Sequence, residues 1–524
     1  MNNKKFAIII HTTTGKTQAD VRNLFANVTI PKGFSFDVFL INGNEQGKYE
    51  AYNVAMRKSK AKYKLYINEN VVITNKNFLI ELLRLFQSDK NIGMVGASGA
   101  LELSTHGVCA RSFKRGGKFF AGTKEPKMQD WKNFGAAEIL DSLFIATQYD
   151  ISWRSDLFRD DYFGEQAQCV EFKRKGYKVV IAQQDMAWLW YKIDNFNFDE
   201  PSRQKFLDEY SKDLFPLVSI IIPTFNRPKY FKEALDSALN QTYRNIEVFI
   251  SDNSIDDATE ILIQEYLAKD KRVKYVRHKN FDADDNWNFA RSYNNPAAEY
   301  VNWLMDDDLF YPTKLEKMIE VYRRDPDIAL VTSARNFIDT DGKIISNTQD
   351  VFGKNIKLSG SEAGKLLFTF KNFIGEPTTA LIKKKFLRDN DLCRNAEEKG
   401  FFTLVDVSTW LQILTQGSMF RFIECLSALR THNQQASYSK KVYKRAPYDY
   451  AKLLKQAWEE KFFLDKEMDF KKSVSGLLWE SSKRLNNLYK AGVYDKDVEI
   501  LEKVAAALAQ SLVNGCKIDL PPLE

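Results

Sequence analysis

The chain of 524 residues carries 76 lysines and arginines against 69 aspartates and glutamates, a formal charge of +7, and is 44% apolar. That length predicts two or three domains, and the apolar share supplies packed cores and excludes wholesale disorder. A mildly basic surface of mixed sign is not a nucleic-acid binder's footprint and only weakly favours anionic donors or anionic lipid.

The chain opens on a short apolar stretch, Phe6-Ala7-Ile8-Ile9-Ile10, too short for a signal sequence and read as a buried first strand. No apolar run is long enough to cross a bilayer. The cysteines, Cys109, Cys169, Cys393, Cys425 and Cys516, are odd in number and form no C-x-x-C pair. That disfavours a disulfide framework or a zinc site and fits a reducing compartment. A cytoplasmic protein is expected, with peripheral contact at the inner face of the cell membrane as an option.

Further along the chain the same pattern returns. FAIIIHTTTGK from Phe6 is matched by VSIIIPTFNR from Val218, and FDVFLINGN from Phe36 by IEVFISDNS from Ile246. YKLYINEN from Tyr63 is matched by YVNWLMDDD from Tyr300, and NIGMVGAS from Asn91 by DIALVTSA from Asp327. Glu165 precedes Gly176 as Asp406 precedes Gly417. A duplicated module is the simplest reading. In the second copy, strands are predicted near 217–222, 246–251, 273–276, 299–304 and 328–331. Helices are predicted near 229–241, 257–269, 285–294 and 313–324. Apolar strands alternating with helices predict an α/β fold with a mostly parallel, Rossmann-like sheet and a ligand site at the carboxyl ends of its strands.

The predicted boundaries are a first module over 1–194, a polar linker over 195–215 carrying Pro201, a second module over 216–438 and a helical C-terminal domain over 439–524. The helical tail is expected to pack on the second module or to mediate a homodimer. Trp458, Phe462 and Phe463, near Lys452, Lys455 and Lys461, leave peripheral membrane contact as the other option.

The chemistry concentrates at the predicted strand ends of the second module. Asp306-Asp307-Asp308 follows the apolar run YVNWL. Three adjacent carboxylates repel one another unless compensated, and hard divalent cations prefer such oxygens and bridge them to phosphates. Taken alone, the run fits a helix-capping turn equally well.

The ordered set PLVSIIIPTFNRPKY, IEVFISDNS and EYVNWLMDDDLFYPTKLEKM resembles the inverting family 2 glycosyltransferases of GT-A fold, strongly over 217–335 and more weakly to 438. The first module resembles a more distant, StrF-like branch through DYFGEQAQCVEFKRKGYKV. The resemblance implies two tandem GT-A-like modules and a metal-dependent transferase. It would move sugar from a nucleotide-diphosphate donor, a UDP-sugar by family habit, to a glycan or glycoconjugate acceptor in surface polysaccharide synthesis.

By the same resemblance Pro223, Thr224 and Phe225 line the nucleotide pocket. Asp252 accepts from base or ribose, and Asp306 lies near ribose and diphosphate. Asp307 holds Mn2+ or Mg2+, with Asp308 as its rival because Met305 stands where relatives begin the acidic motif. Arg227 and Arg430 serve the donor, and His432 serves the metal or diphosphate. Asp406 is the expected base, with Val405 where relatives place glutamate; its apolar surroundings would raise its pKa, although an Asp there also suits a helix N-cap. Asn286, Trp287, Asn288 and Arg291 fall near the donor, and Gly375, Glu376 and Pro377 form either an acceptor loop or a simple turn.

In the first module Asn42 stands for Asp252, and Asn68-Glu69-Asn70 for the three aspartates. Amides are poor ligands for a hard cation. Glu165 stays acidic, so this module is either a metal-independent transferase with Glu165 as base or a glycan-binding partner. The alternatives for the whole chain are a two-site polymerase and a non-catalytic scaffold of a synthase complex. Nucleotidyl transfer is disfavoured because PTFNRPKY is not glycine-rich.

Overall fold

The computed structural model describes residues 2–42, 47–193, 197–348, 352–369, 372–387, 404–432 and 440–522. The chain divides into two compact units, Met1–Phe215 and Pro216–Glu524.

Each unit is built on the same sheet. In the first, the strand order is Ser35–Asn42, Asn2–Thr12, Ala61–Ile67, Phe144–Thr147, Ile92–Gly96 and Lys178–Ile181, ending on Gly135–Ala136. In the second it is Val273–Arg277, Ile246–Asp252, Leu217–Thr224, Ala298–Trp303, Leu381–Lys383, Ile328–Ile338, Ser418–Arg430 and Leu309–Phe310. In both, one short antiparallel strand (Phe144–Thr147 or Leu381–Lys383) sits between parallel neighbours. The central strands are buried on both faces, which is why their sequences read as continuous apolar runs rather than as alternation.

Helices cover the sheets as their apolar stripes dictate. Helix Lys314–Arg324 buries Leu315, Met318, Ile319 and Tyr322. Helix Ala283–Ser292 begins with a capping box, Asp282 accepting from the Asp285 amide at 2.8 Å and Asp285 accepting from the Asp282 amide at 3.4 Å.

Two boundaries differ from the sequence reading. The segment 195–215, read as a linker, contains helix Glu200–Leu214, capped by Asp199 accepting from the Ser202 amide at 2.9 Å. It buries Phe206, Leu207 and Tyr210, with Phe206 5.5 Å from the Phe163 ring, and so belongs to the first unit. Its apolar positions were hidden among charged neighbours. The tail forms helices Lys440–Glu459, Glu467–Lys490 and Lys496–Val513, which lie within the second unit. Ala451, Leu454, Phe470, Val474 and Leu508 share one core with Leu367, Trp410 and Leu414 of the sheet-bearing part.

Candidate active site

The three aspartates lie just beyond the carboxyl end of strand Ala298–Trp303, and each is at most 7% exposed. Their partners separate their roles. Asp306 accepts from the Thr224 hydroxyl at 3.0 Å and the Phe225 amide at 3.2 Å, and pairs with Arg227 at 3.2 Å. Asp308 accepts from the Thr378 hydroxyl at 2.6 Å and the Arg430 amide at 3.1 Å. Burial, with the charge of Asp307 next, pushes Asp306 up to about 6 and Asp308 well above the ordinary carboxylate range. Asp307 meets Arg227 at 2.9 Å and His432 Nε2 at 2.8 Å through one oxygen, Oδ2. Among the described residues its Oδ1 accepts no hydrogen bond. The outer two carboxylates therefore tie the strand ends together, and the middle one retains coordinating capacity.

Asp307 and His432 offer a carboxylate and an imidazole side by side, donors that suit Mn2+ or Mg2+. Among the described residues no group of three or more His, Cys, Asp or Glu side chains converges on one point. A cation here would complete its shell with phosphate oxygens and water, as magnesium does at phosphate-transfer sites.

The nucleotide side departs from the expected roles in two places. Asp252 is fully buried, and its oxygens accept from the Ser254 amide and the Tyr275 hydroxyl, each at 2.7 Å. It supports the pocket from beneath. Arg430 is also buried. It donates to Asp307 O at 2.9 Å, Asp339 O at 3.1 Å and Thr340 O at 3.2 Å, and pairs with Glu233 at 2.5 Å. Its guanidinium braces the acidic turn instead of facing a phosphate, and Arg227 is the cation placed beside the carboxylates. Pro223 and Thr224 end their strand, while Phe225 is 43% exposed, open to stack on a ligand. Asn226 takes the left-handed conformation, φ 52°, and links the turn to the next one, its amide donating to Ser254 Oγ and its Oδ1 accepting from Ile255, each at 2.8 Å. Asn286 ties Ser251 to the Thr224 carbonyl. Trp287 packs against the core, 6.3 Å from the Trp303 ring, and Arg291 contacts Asn288 at 3.4 Å.

Asp406 is the second residue of helix Val405–Leu414. Its carboxylate lies deep yet partly open, and accepts from Asn372 Nδ2 at 3.0 Å. Burial raises it to about 6, with the charge of Glu376 adding to the shift against the helix amides and Asn372. Residues 401–403 and 433–439 of the motifs around Asp406 and His432 lie outside the described residues.

One loop, 372–379, joins Asp406 to the three aspartates. Asn372 holds Asp406 and also Gly375, whose carbonyl accepts from Trp410 Nε1 at 3.0 Å. Thr378 reaches Asp308. Beneath the loop Lys314, fully buried, donates to Asn302 Oδ1 at 2.8 Å and Thr379 O at 3.2 Å, and Asn302 donates to Pro377 O at 3.1 Å. Burial drives Lys314 well below the usual lysine range. The sequence reading missed this pair. The available signal was a polar residue at an apolar position, twice: Asn302 inside YVNWL, and Lys314 on the buried stripe of its helix.

The first module repeats the frame with other residues. Thr12 pairs with Asn42 as Thr224 pairs with Asp252, so that equivalence holds. Ile9 pairs with Tyr66 as Ile221 pairs with Trp303, which aligns Glu69 with Asp306, Asn70 with Asp307 and Val71 with Asp308. The matching of Asn68-Glu69-Asn70 to the three aspartates is therefore shifted by one position. Glu69 does what Asp306 does. It accepts from the hydroxyls of Thr12, Thr13 and Thr14 at 2.6, 2.8 and 2.8 Å and from the Thr13 amide at 3.2 Å. Against the opposing effect of burial, these donors hold it down at about 2. Glu165, expected as a second base, is 3% exposed, ion-paired to Lys48 through one oxygen and hydrogen-bonded by the Tyr49 hydroxyl through the other.

A doubly wound sheet with an acidic turn, a flanking arginine and a deep carboxylate at its strand ends has its ligand site at the carboxyl edge of the sheet. Residues 219–390 match the profile of glycosyl transferase family 2, and residues 7–210 that of a glycosyltransferase-like family. The two modules are thus each similar to glycosyltransferases, the second to family 2 and the first to a glycosyltransferase-like family. It is similar to an uncharacterized glycosyltransferase of Rickettsia bellii, 29% identical over 227 residues, 43% of this chain and 31% of that protein. The chain thus spans about a third of that relative. It is also similar to the GalNAc(5)-diNAcBac-PP-undecaprenol beta-1,3-glucosyltransferase of Campylobacter jejuni, 26% identical over 266 residues, 50% of this chain and 80% of the relative. Among solved structures, S. aureus TarS 1–349 in complex with UDP-GlcNAc aligns over 57% of this chain and 92% of its own, at 13% identity and TM-score 0.35.

Proposed function

We propose that the second module transfers a sugar, with inversion, from a nucleoside-diphosphate donor to a glycan acceptor, and that the first module binds glycan without transferring. The observation that carries the first half is the division of labour among the aspartates. Asp306 and Asp308 are tied into the strand ends, while Asp307, beside His432, keeps an oxygen for a ligand.

Asp307 and His432 would hold a divalent cation beside the donor diphosphate. When bound, that cation offsets the negative charge that grows on the leaving β-phosphate. Arg227 adds a fixed positive charge on the same side. Asp406 takes the proton from the acceptor hydroxyl as its oxygen bonds to the anomeric carbon and the bond to the β-phosphate oxygen breaks. Its pKa near 6 keeps it ionised at neutral pH yet basic enough to help. A UDP-sugar is the first donor to test, and the activity named for the Campylobacter relative supports a carrier-linked surface glycan as acceptor.

The second half rests on Glu165, whose two oxygens are taken by Lys48 and Tyr49. A carboxylate so buried and already paired on both oxygens is less available to an acceptor hydroxyl.

The test is nucleotide release from UDP-, GDP- and dTDP-sugars with manganese. Wild-type chain should release nucleotide from one of them, and Asp307→Asn and Asp406→Asn should abolish it. Retained activity in both variants refutes the reading.

A further inference from the structure

Loop 372–379 has one charged side chain turned outward. Glu376 is 41% exposed, while Arg335, which grips it, is 8% exposed. Arg335 Nε lies 2.7 Å from Glu376 Oε2, and Nη2 donates to Oε1 at 3.1 Å. Oε2 is buried in this pair, while Oε1, which accepts from Nη2, keeps a further lone pair. The backbone is equally constrained. Gly375 has φ 101°, and a Cβ there would lie 2.8 Å from Arg335 Nη1.

The position is bracketed by the reacting groups. Asn372, four residues earlier, holds Asp406, and Thr378, two residues later, holds Asp308. Glu376 thus lies on the loop segment that links Asp406 to Asp308.

The first module supplies an internal comparison. Lys64 pairs with Thr147 as Val301 pairs with Ile382, and Asp141 and Glu376 each stand six residues before those partners. Asp141 also pairs with an arginine, Arg115, and accepts from Ser98 Oγ at 2.6 Å. It is one methylene shorter and only 9% exposed. The carboxylate–arginine pair is common to both modules. Its extension into the cleft occurs in the module with the open aspartate.

A carboxylate only accepts hydrogen bonds, and one held rigidly is suited to hydroxyl donors. We propose that Glu376 binds hydroxyls of the transferred sugar and so sets which sugar nucleotide the second module takes. This rests on the transferase reading above.

The experiment is calorimetric titration of the full chain, with manganese, using UDP, GDP and dTDP alone and their glucose, galactose and N-acetylhexosamine derivatives. Two variants are compared. Glu376→Gln removes the charge, whereas Glu376→Asp keeps the pairing with Arg335 and withdraws the carboxylate, as the first module does. For the sugar nucleotide that wild type binds best, both variants should weaken binding by about tenfold, the scale of a hydrogen bond to a charged group. Binding of the bare nucleoside diphosphate should stay within about twofold. The preference between glucose and galactose epimers should narrow. A loss below about fivefold in both variants overturns the assignment, as does equal weakening of bare nucleotide and sugar nucleotide, or a wild type that binds both alike. Binding of no nucleotide at all by wild type overturns the transferase reading and this assignment with it.

Discussion

The two modules share a strand order and a cap on the first strand end, but differ in what surrounds the acidic turn. In the second, Asp308 meets Thr378, and Lys314 with Asn302 holds the loop that carries Thr378. In the first, the same register puts Val71 and Leu143 at the positions of Asp308 and Thr378 and Leu65 where Asn302 stands, an apolar solution to the same packing problem. The fold therefore does not require the polar network. Burying a lysine away from any carboxylate is unfavourable, and a sheet that closes well with leucine gains no stability from it. What the network adds is a fixed place for the acidic turn relative to Asp406. The base positions differ in the same sense. Asp406 is partly open and raised to about 6, whereas Glu165 is closed off by Lys48 and Tyr49.

The sharpest way to break this contrast is at the base. Asp406→Asn should lower kcat by about 10²–10⁴-fold, as loss of a general base does, with the donor Kd little changed. Glu165→Gln in parallel should leave the rate within about twofold. A lost linkage in the product of Glu165→Gln would show that the first module transfers after all.

Next is the open aspartate. Asp307→Asn should cost about 10²–10³-fold in kcat/KM, comparable to removing a main electrostatic stabiliser, and chelation of wild type by EDTA should give a similar loss restored by manganese. If EDTA has no effect, Arg227 alone neutralises the diphosphate and the two modules are alike in needing no metal.

The pH dependence follows from Asp406. The base works ionised, so activity should be level above about pH 7 and fall by about tenfold per unit below about 6. The sign for stability is opposite. Because the folded pKa lies above the model-compound value of 3.8, this group favours folding at low pH and progressively less as pH rises toward about 6. Asp406→Asn should therefore raise the melting temperature relative to wild type more at pH 8 than at pH 4, read by circular dichroism.

The smallest expected effect is Lys314→Met. It should lower kcat by about tenfold through a loosened loop, with the melting temperature unchanged or higher, since an apolar chain replaces a buried amine. Unchanged kcat would make the network structural and remove this difference between the modules.

Much of this was legible in the sequence because the central strands are buried on both faces and read as apolar runs. The duplication was visible for the same reason, and Thr224, Asp306, Asp307 and Asp406 fell where predicted at strand and helix ends. The choice between Asp307 and Asp308 was not legible, since it depends on Thr378, 70 residues away in sequence. The inward turn of Arg430 depends on Glu233 and on carbonyls of a distant turn. The one-residue shift at Asn68-Glu69-Asn70 escaped because Glu69 is the only acid there and attracted the comparison to the whole run. The pairing register, like the residue-by-residue match from Tyr63 and Tyr300, sets it at Asp306.

The three terminal helices carry a practical consequence for anyone cutting the gene. A fragment stopping at residue 390, where the family match ends, would lack Trp410, Leu414, Ala451, Leu454, Phe470, Val474 and Leu508, and would leave Leu367 and Phe373 facing water. Each large side chain stripped of cover forfeits about 1.5–3 kcal/mol, so a few such losses rival the stability of a whole domain. Recombinant versions trimmed to the profile boundary should precipitate, and the shortest well-behaved catalytic fragment should run from near residue 216 to near residue 520.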